Sequence, residues 1–290
     1  MKKLIFLQAL VYLIVASCSI QEPNAVEPES GCKTRFYATL ESYTEPDTRV
    51  YVDDKIQLHW DENDQISLFN GVTLNQQYCF TGNTGEKSGY FEKVSDPFGT
   101  GNDLKFVCAV YPYQYSTKIS NSGVMTLTLP AEQTYREGSF GPGANTMISC
   151  SESKDRLQFK NVGGYLVLKF YGKGVSISSI KLEGNGEELL SGKATWAPVV
   201  GEVPTIKMDP NAEKSGDNSI TLTCEKPVAL NAAKEEAILF WMVVPPTDFA
   251  KGFTLTVTNP DGKTFVKKTD KNLSIVRNTL LRIAPIEVAF

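Results

Sequence analysis

One histidine, His59, stands in a chain of 290 residues, so neither an imidazole-based triad nor a histidine metal site can be assembled from this sequence. Long apolar runs are equally scarce. Beyond residue 17 no uncharged stretch reaches the roughly 20 residues that a membrane-spanning helix requires. The six cysteines include no CxxC pair, which removes the spacing of a zinc site. Cys108 lies inside an apolar, strand-like run, where a thiol acts as a small buried hydrophobe, and mostly free thiols are expected. Basic residues are outnumbered, 29 against 33 acidic, and this balance argues against nucleic acid as a partner. No segment keeps a helical apolar period for three turns, and the pair Gly163-Gly164 opens no helix, so a phosphate cradle is not expected. The Gly pair fits a bulge or a close sheet contact instead. Acidic pairs at Glu187-Glu188 and Glu235-Glu236 lie in polar turns and read as solvated. No cofactor and no enzymatic activity are implied.

What the sequence does have is many short segments rich in Val, Ile, Thr, Phe and Tyr. Residues 33–41, 56–60, 65–69, 104–111 and 124–129 read as strands, as do 165–171, 176–182, 219–224, 237–244, 253–258 and 280–288. Turn clusters such as 99–102 and 259–262 separate them. Frequent short strands with no helix between them predict an all-β fold of sandwich type rather than an α/β sheet. His59 is expected as a strand histidine, and residues 61–64, Asp-Glu-Asn-Asp, as a turn between strands. The polar stretch 149–155 follows a Gly- and Pro-rich loop and suggests a boundary near residue 155, giving sandwiches at 32–155 and 156–290.

The first seventeen residues carry Lys2 and Lys3, an apolar run from Leu4 to Val15, and the small residues Ala16 and Ser17, the order of a signal peptide. Val15-Ala16-Ser17-Cys18 resembles the lipobox of bacterial lipoproteins, with Val15 at the place usually held by leucine. That resemblance implies lipidation of Cys18, which would become the first residue of the mature chain. Trimming would leave 27 basic and 33 acidic residues. Acyl chains contribute about 0.8 kcal/mol per buried methylene, so two or three of them anchor a protein without further contact. Residues 18–31, rich in Pro, Glu and Ser, read as the tether between lipid and fold.

Beyond this point a series of landmarks appears in order. They are Ala38-Thr39-Leu40-Glu41, Thr48-Arg49, the segment from Trp60 to Phe69, Leu129 to Gln133, the loop Phe140 to Gly143 leading to Met147, Phe159 to Leu166, Leu189 to Gly192, and Val244-Pro245-Pro246 with Arg277-Asn278 before the last strand. Together they resemble the fimbrillin family of pilins and pilus-associated lipoproteins. The resemblance implies two tandem transthyretin-like β-sandwiches, an outer-membrane, cell-surface location, and assembly into a fimbrium that supports adhesion. It also implies cleavage by an arginine-specific protease at Arg49, with Arg35 the other candidate. Cleavage would remove a first strand carrying Phe36, Ala38 and Leu40 on one face. Another fimbrial subunit would then insert a donor strand by β-augmentation. The alternating Ala284, Ile286, Val288 and Phe290 are the candidate donor.

A second reading stays open: a non-polymerising surface lipoprotein that binds a carbohydrate or a protein. It is motivated by Tyr111, Tyr113 and Tyr115, which could form an aromatic strip, although packing at a strand end would use the same residues.

Overall fold

The computed structural model describes residues 35–42, 57–95, 103–209 and 218–290. Cys18 and Arg49 lie outside them. The first half contributes β1 (Arg35–Leu40), β2 (Gln65–Val72), β3 (Gln76–Phe80), β4 (Ser88–Ser95), β5 (Asp103–Tyr111), β6 (Lys118–Ile119), β7 (Met125–Leu129), β8 (Glu132–Arg136), β9 (Ser139–Phe140), β10 (Met147–Ser151) and β11 (Arg156–Asn161). The second contributes β12 (Gly164–Tyr171), β13 (Ser176–Gly184), β14 (Gly192–Trp196), β15 (Ile206–Met208), β16 (Ser219–Ala229), β17 (Ile238–Val244), β18 (Thr247–Phe249), β19 (Phe253–Thr258), β20 (Thr264–Lys268), β21 (Leu273–Ile275), β22 (Leu280–Arg282) and β23 (Ile286–Glu287). The only helical turn among the described residues is a short 3-10 segment at Lys234–Glu236. The all-β expectation holds.

The first sheet closes on itself in the order β1-β11-β10-β5-β2-β3-β4. Its interior is filled by Phe36, Trp60, Tyr78, Phe91 and Phe159, all fully buried. The wall at β2, β5 and β10 is covered on its outer face as well, by the sheet β15-β14-β7-β6. On β5, Val107, Ala109 and Tyr111 therefore face inward while Cys108 and Val110 face outward into a second apolar layer. Burial on both faces explains the near-continuous apolar run there, where a one-sided strand would alternate.

A further core lies between the sheet β17-β12-β22 and the sheet β20-β19-β13-β16-β8-β9. Ile177 and Ile180 of β13 share its interior although they are three residues apart. The ladder with β16 is irregular at this point, its partners stepping from Val228 opposite Ile177 to Thr223 opposite Ser179.

The two halves interlock. β7 pairs with β14, and β8 runs parallel to β16. Gln133 on β8 is buried, and its side-chain amide donates to Val243 O at 2.7 Å and accepts from Val243 N at 2.9 Å. It serves β17 as a surrogate backbone partner.

Several expected elements differ in the structure. Residues 149–155 are strand and bend. They hold the end of β10 and a tight turn into β11, where Ser153 Oγ donates to Asp155 Oδ1 at 2.8 Å, and β11 is a barrel strand. The chain leaves the barrel between Asn161 and Gly164. Residues 57–60 do not make a strand: Trp60 forms a single antiparallel bridge with Glu86, and its ring plugs the barrel, where burial rather than ladder pairing fixes the segment. His59 is consequently an exposed loop residue. The last strand breaks at Pro285, which has no N–H for a ladder, and becomes β22 and β23. The turn at 61–64 is present, with Asn63 at a φ of 67°. Gly163 and Gly164 do mark a close contact, since a Cβ at Gly164 would collide with the Val276 carbonyl oxygen.

Candidate functional site

β1 is the strand that closes the barrel. It runs antiparallel to β4, from Arg35 opposite Glu92 to Thr39 opposite Ser88, and parallel to β11, from Tyr37 opposite Arg156 to Leu40 opposite Phe159. Phe36 and Ala38 are fully buried and Leu40 packs at the edge of the same core, so the three residues expected on one face share it. Phe36 meets Tyr78 edge to face at 5.5 Å between ring centroids. The other face is held at the surface. Tyr37 packs on Tyr90 at 5.1 Å and its hydroxyl donates to Ser88 Oγ at 2.8 Å, while the Arg35 guanidinium lies 4.4 Å from the Tyr90 ring centroid.

Taking such a strand away would leave unpaired backbone groups along β4 and β11 and an apolar slot where Phe36 sat. Those are the two features that strand addition uses: main-chain pairing for affinity and pockets for alternate side chains.

Where β1 ends, a polar clasp ties it to the other half of the molecule. Glu41 forms a two-pronged ion pair with Arg277, at 2.6 Å from Nη1 to Oε2 and 2.8 Å from Nη2 to Oε1. Asn161 N donates to Glu41 Oε2 at 3.0 Å, and Arg277 Nη1 also donates to Asn161 O at 3.0 Å. Asn161 Nδ2 donates to Asn278 Oδ1 at 2.6 Å, and Asn278 Nδ2 to Ser42 O at 2.9 Å. Asn161 and Asn278 are buried, and Asn278 takes a φ of 56°, which asparagine tolerates better than most residues. Arg277-Asn278 and Asn161 are among the sequence landmarks. Glu41 as their partner is a contact across 236 positions that no local pattern signals.

The candidate donor residues do not share one buried face. Val288 is buried in the second core and its N–H donates to Tyr171 O at 2.9 Å, and Ile286 packs beside it. Ala284 is exposed and Phe290 is 39% exposed. The three tyrosines also diverge. Tyr111 is buried and its hydroxyl donates to Asp64 Oδ1 at 2.9 Å, Tyr113 is half-buried, and Tyr115 is 89% exposed. Burial pushes the Asp64 carboxyl above its ordinary range and the Tyr111 phenol up as well. These three residues form no continuous strip.

A cleft of about 810 Å³ opens at one end of the barrel, lined by His59, Trp60, Asp61, Arg136, Phe140 and Trp241 among others. Arg136 and Asp61 pair across it at 2.9 Å. Three buried polar atoms of its lining residues, Trp60 Nε1, Trp241 Nε1 and Asn145 Oδ1, have no hydrogen-bond partner among the described residues. Sequence reasoning missed this cleft because it gathers residues from 57 to 241.

No family model matches the chain, and no curated protein matches it. Among solved structures it is similar to a candidate cell adhesion protein from Bacteroides ovatus, at 15% identity over 87% of this chain and 91% of that one, with a TM-score of 0.45. A candidate cell adhesion protein from Bacteroides uniformis aligns at 16% identity over 90% and 94% of the two chains, also with a TM-score of 0.45. A fimbrial protein from Bacteroides ovatus aligns at 15% identity over 88% of this chain and 50% of that one, with a TM-score of 0.33.

Proposed function

We propose that this chain is a non-enzymatic, surface-exposed subunit or accessory of a fimbrium, anchored by lipid on Cys18 and assembled by exchange of its closing strand. The observation that carries the reading is the position of β1, a six-residue segment held by two ladders and a few side chains, whose withdrawal opens a barrel. Arg49 follows it in sequence, so a cut there by an arginine-specific protease would sever β1 from the rest of the chain. Another fimbrial subunit would fill the vacated slot. The ordered fimbrillin landmarks support the same reading, and adhesion is the function it implies. The C-terminal segment from Ala284 to Phe290 is the proposed donor. It would have to leave the second core first, since Val288 is seated there.

The test is the mature N-terminus on intact cells, read by mass spectrometry before and after limited arginine-specific proteolysis. A stalk subunit begins at Val50 after cleavage and gives oligomer ladders on unheated gels. An anchor subunit keeps acylated Cys18 and joins the ladder only at its end. A chain that stays acylated and monomeric beside its own cut copies would end the strand-exchange reading.

Ligand binding by a non-polymerising lipoprotein is the second reading, and the cleft favours it. Its lining combines the Arg136–Asp61 ion pair with the rings of Phe140 and Trp241, so a carbohydrate or a peptide is the class to screen.

A further inference from the structure

Cys108 on β5 and Cys150 on β10 stand directly opposite each other in an antiparallel ladder that runs from Met147 opposite Tyr111 to Ser151 opposite Val107. Opposed residues in such a ladder hold their Cα atoms about 4.5–5.5 Å apart, inside the roughly 4.4–6.8 Å that a disulfide spans. Both side chains turn to the outer face of the barrel wall, into the layer beneath β7 and β14. Their sulfur atoms are 3.1 Å apart, both as free thiols. Bond formation needs an approach of about 1 Å, which side-chain rotation supplies.

The two thiols differ in access and acidity. Cys108 is fully buried, whereas Cys150 is half-buried and borders a small cleft with Gln158, Lys160 and Trp196. Burial drives the Cys108 thiol far up, while the hydrogen bond that it donates holds Cys150 below the ordinary thiol range. The other described thiols are occupied elsewhere: Cys79 Sγ contacts Phe80 O at 3.6 Å, and Cys224 is buried in the second core.

We propose that Cys108 and Cys150 are a disulfide site, closed by thiol–disulfide exchange with a small or protein disulfide. The Cys150 thiolate attacks one sulfur of that oxidant, forming a mixed disulfide and releasing the other sulfur as a thiolate. Cys108 then gives up its proton and attacks Cys150 Sγ, forming the internal bond and releasing the second oxidant thiolate. Two electrons and two protons leave the protein, and the oxidant becomes two thiols. The bond would pin β5 to β10, one strand removed from β11, and so hold the barrel wall in register beside the seam that β1 closes. This inference stands apart from strand exchange and survives its failure.

The full-length natively folded protein is incubated with oxidised glutathione, quenched in acid, alkylated without reduction and digested for peptide mapping. The expected result is a linked peptide pair containing Cys108 and Cys150, lighter by two hydrogens than its reduced parts, with Cys79 and Cys224 alkylated. The melting midpoint of the oxidised wild type falls by several degrees on reduction. Cys150→Ser abolishes the linked peptide and loses the reductant-dependent shift. Full alkylation of both Cys108 and Cys150 after oxidation overturns the proposal, as does pairing of either with another cysteine. Because the wild-type comparison needs no variant, poor folding of Cys150→Ser leaves the test intact.

Discussion

The two main cores of this molecule are closed in different ways. The barrel is sealed by β1, which pairs with β4 from Arg35 to Thr39 and with β11 from Tyr37 to Leu40 and sends Phe36 into an aromatic interior. The second core is flanked by residues 280–290, where β22 and β23 make only three and two register pairs with β12 and the segment adds Leu281, Ile283, Ile286 and Val288 to the core. Its interior is otherwise aliphatic, built from Leu166, Leu168, Ile180, Leu182, Leu222 and Leu255 with a few phenylalanines. The barrel concentrates its cohesion in a handful of large rings and one seam. The second core spreads it over many smaller contacts, with a loosely held end.

Concentration predicts vulnerability, and the most demanding test is Trp60. Its ring lies 5.0 Å from Phe91, 5.3 Å from Phe159 and 5.5 Å from Tyr111, each near edge-to-face, and 6.0 Å from Phe80. Trp60→Ala should destabilise the protein by about 3–5 kcal/mol, the range for large-to-small changes at aromatic core sites. Denaturant unfolding measures it. A loss equal to that of a single aliphatic truncation in the second core, such as Leu182→Val, would erase the contrast between the two regions.

That contrast was only partly legible in the sequence. The alternation of Phe36, Ala38 and Leu40 marked a strand with one buried face, and the run from Leu104 to Tyr111 marked another. Strands of mixed or exposed character, such as β4 with Tyr90 and Val94 at the surface and β20 with Val266 exposed, escaped because solvent contact weakens their period. The barrel's closure was invisible for a different reason. β1 and β11 are more than a hundred residues apart, and parallel pairing at that separation leaves no local mark. The same holds for the pairing of β7 with β14 and of β8 with β16, which joins segments far apart in sequence. The candidate site shows this division too. Arg277-Asn278 could be noticed as a motif, but its partner Glu41 could be found only once the fold brought them together.

A middle-sized effect should come from the clasp, the contact that joins β1's exit to the approach of the C-terminal segment. Arg277→Leu leaves the Glu41 carboxylate, 19% exposed, with its paired charge gone and only the Asn161 N–H beside it. Hydrogen bonds to charged groups contribute about 1.5–3 kcal/mol, and a loss in that range is expected. Adding Glu41→Gln should then cost little more, because the charge it removes is already unpaired. Equal and additive losses would show a solvated surface pair of the kind that contributes little, and the clasp would no longer distinguish one end of β1 from an ordinary loop.

The smallest effect belongs to the loosely held end. Val288→Ala removes two methyl groups' worth of burial at about 0.8 kcal/mol each, and the open edge beside it can relax, so a loss of about 1–2 kcal/mol is expected. Hydrogen exchange sharpens the point without any substitution. The Val288 N–H bonds to Tyr171 O at a two-pair bridge, whereas the Glu41 N–H bonds to Phe159 O at the end of a full ladder. Local opening should therefore expose Val288 at lower free energy than the barrel strands on either side of β1. If Val288 is protected as strongly as β1, the C-terminal segment is an integral strand of the second core, and its use as a donor would require unfolding that core rather than fraying its edge.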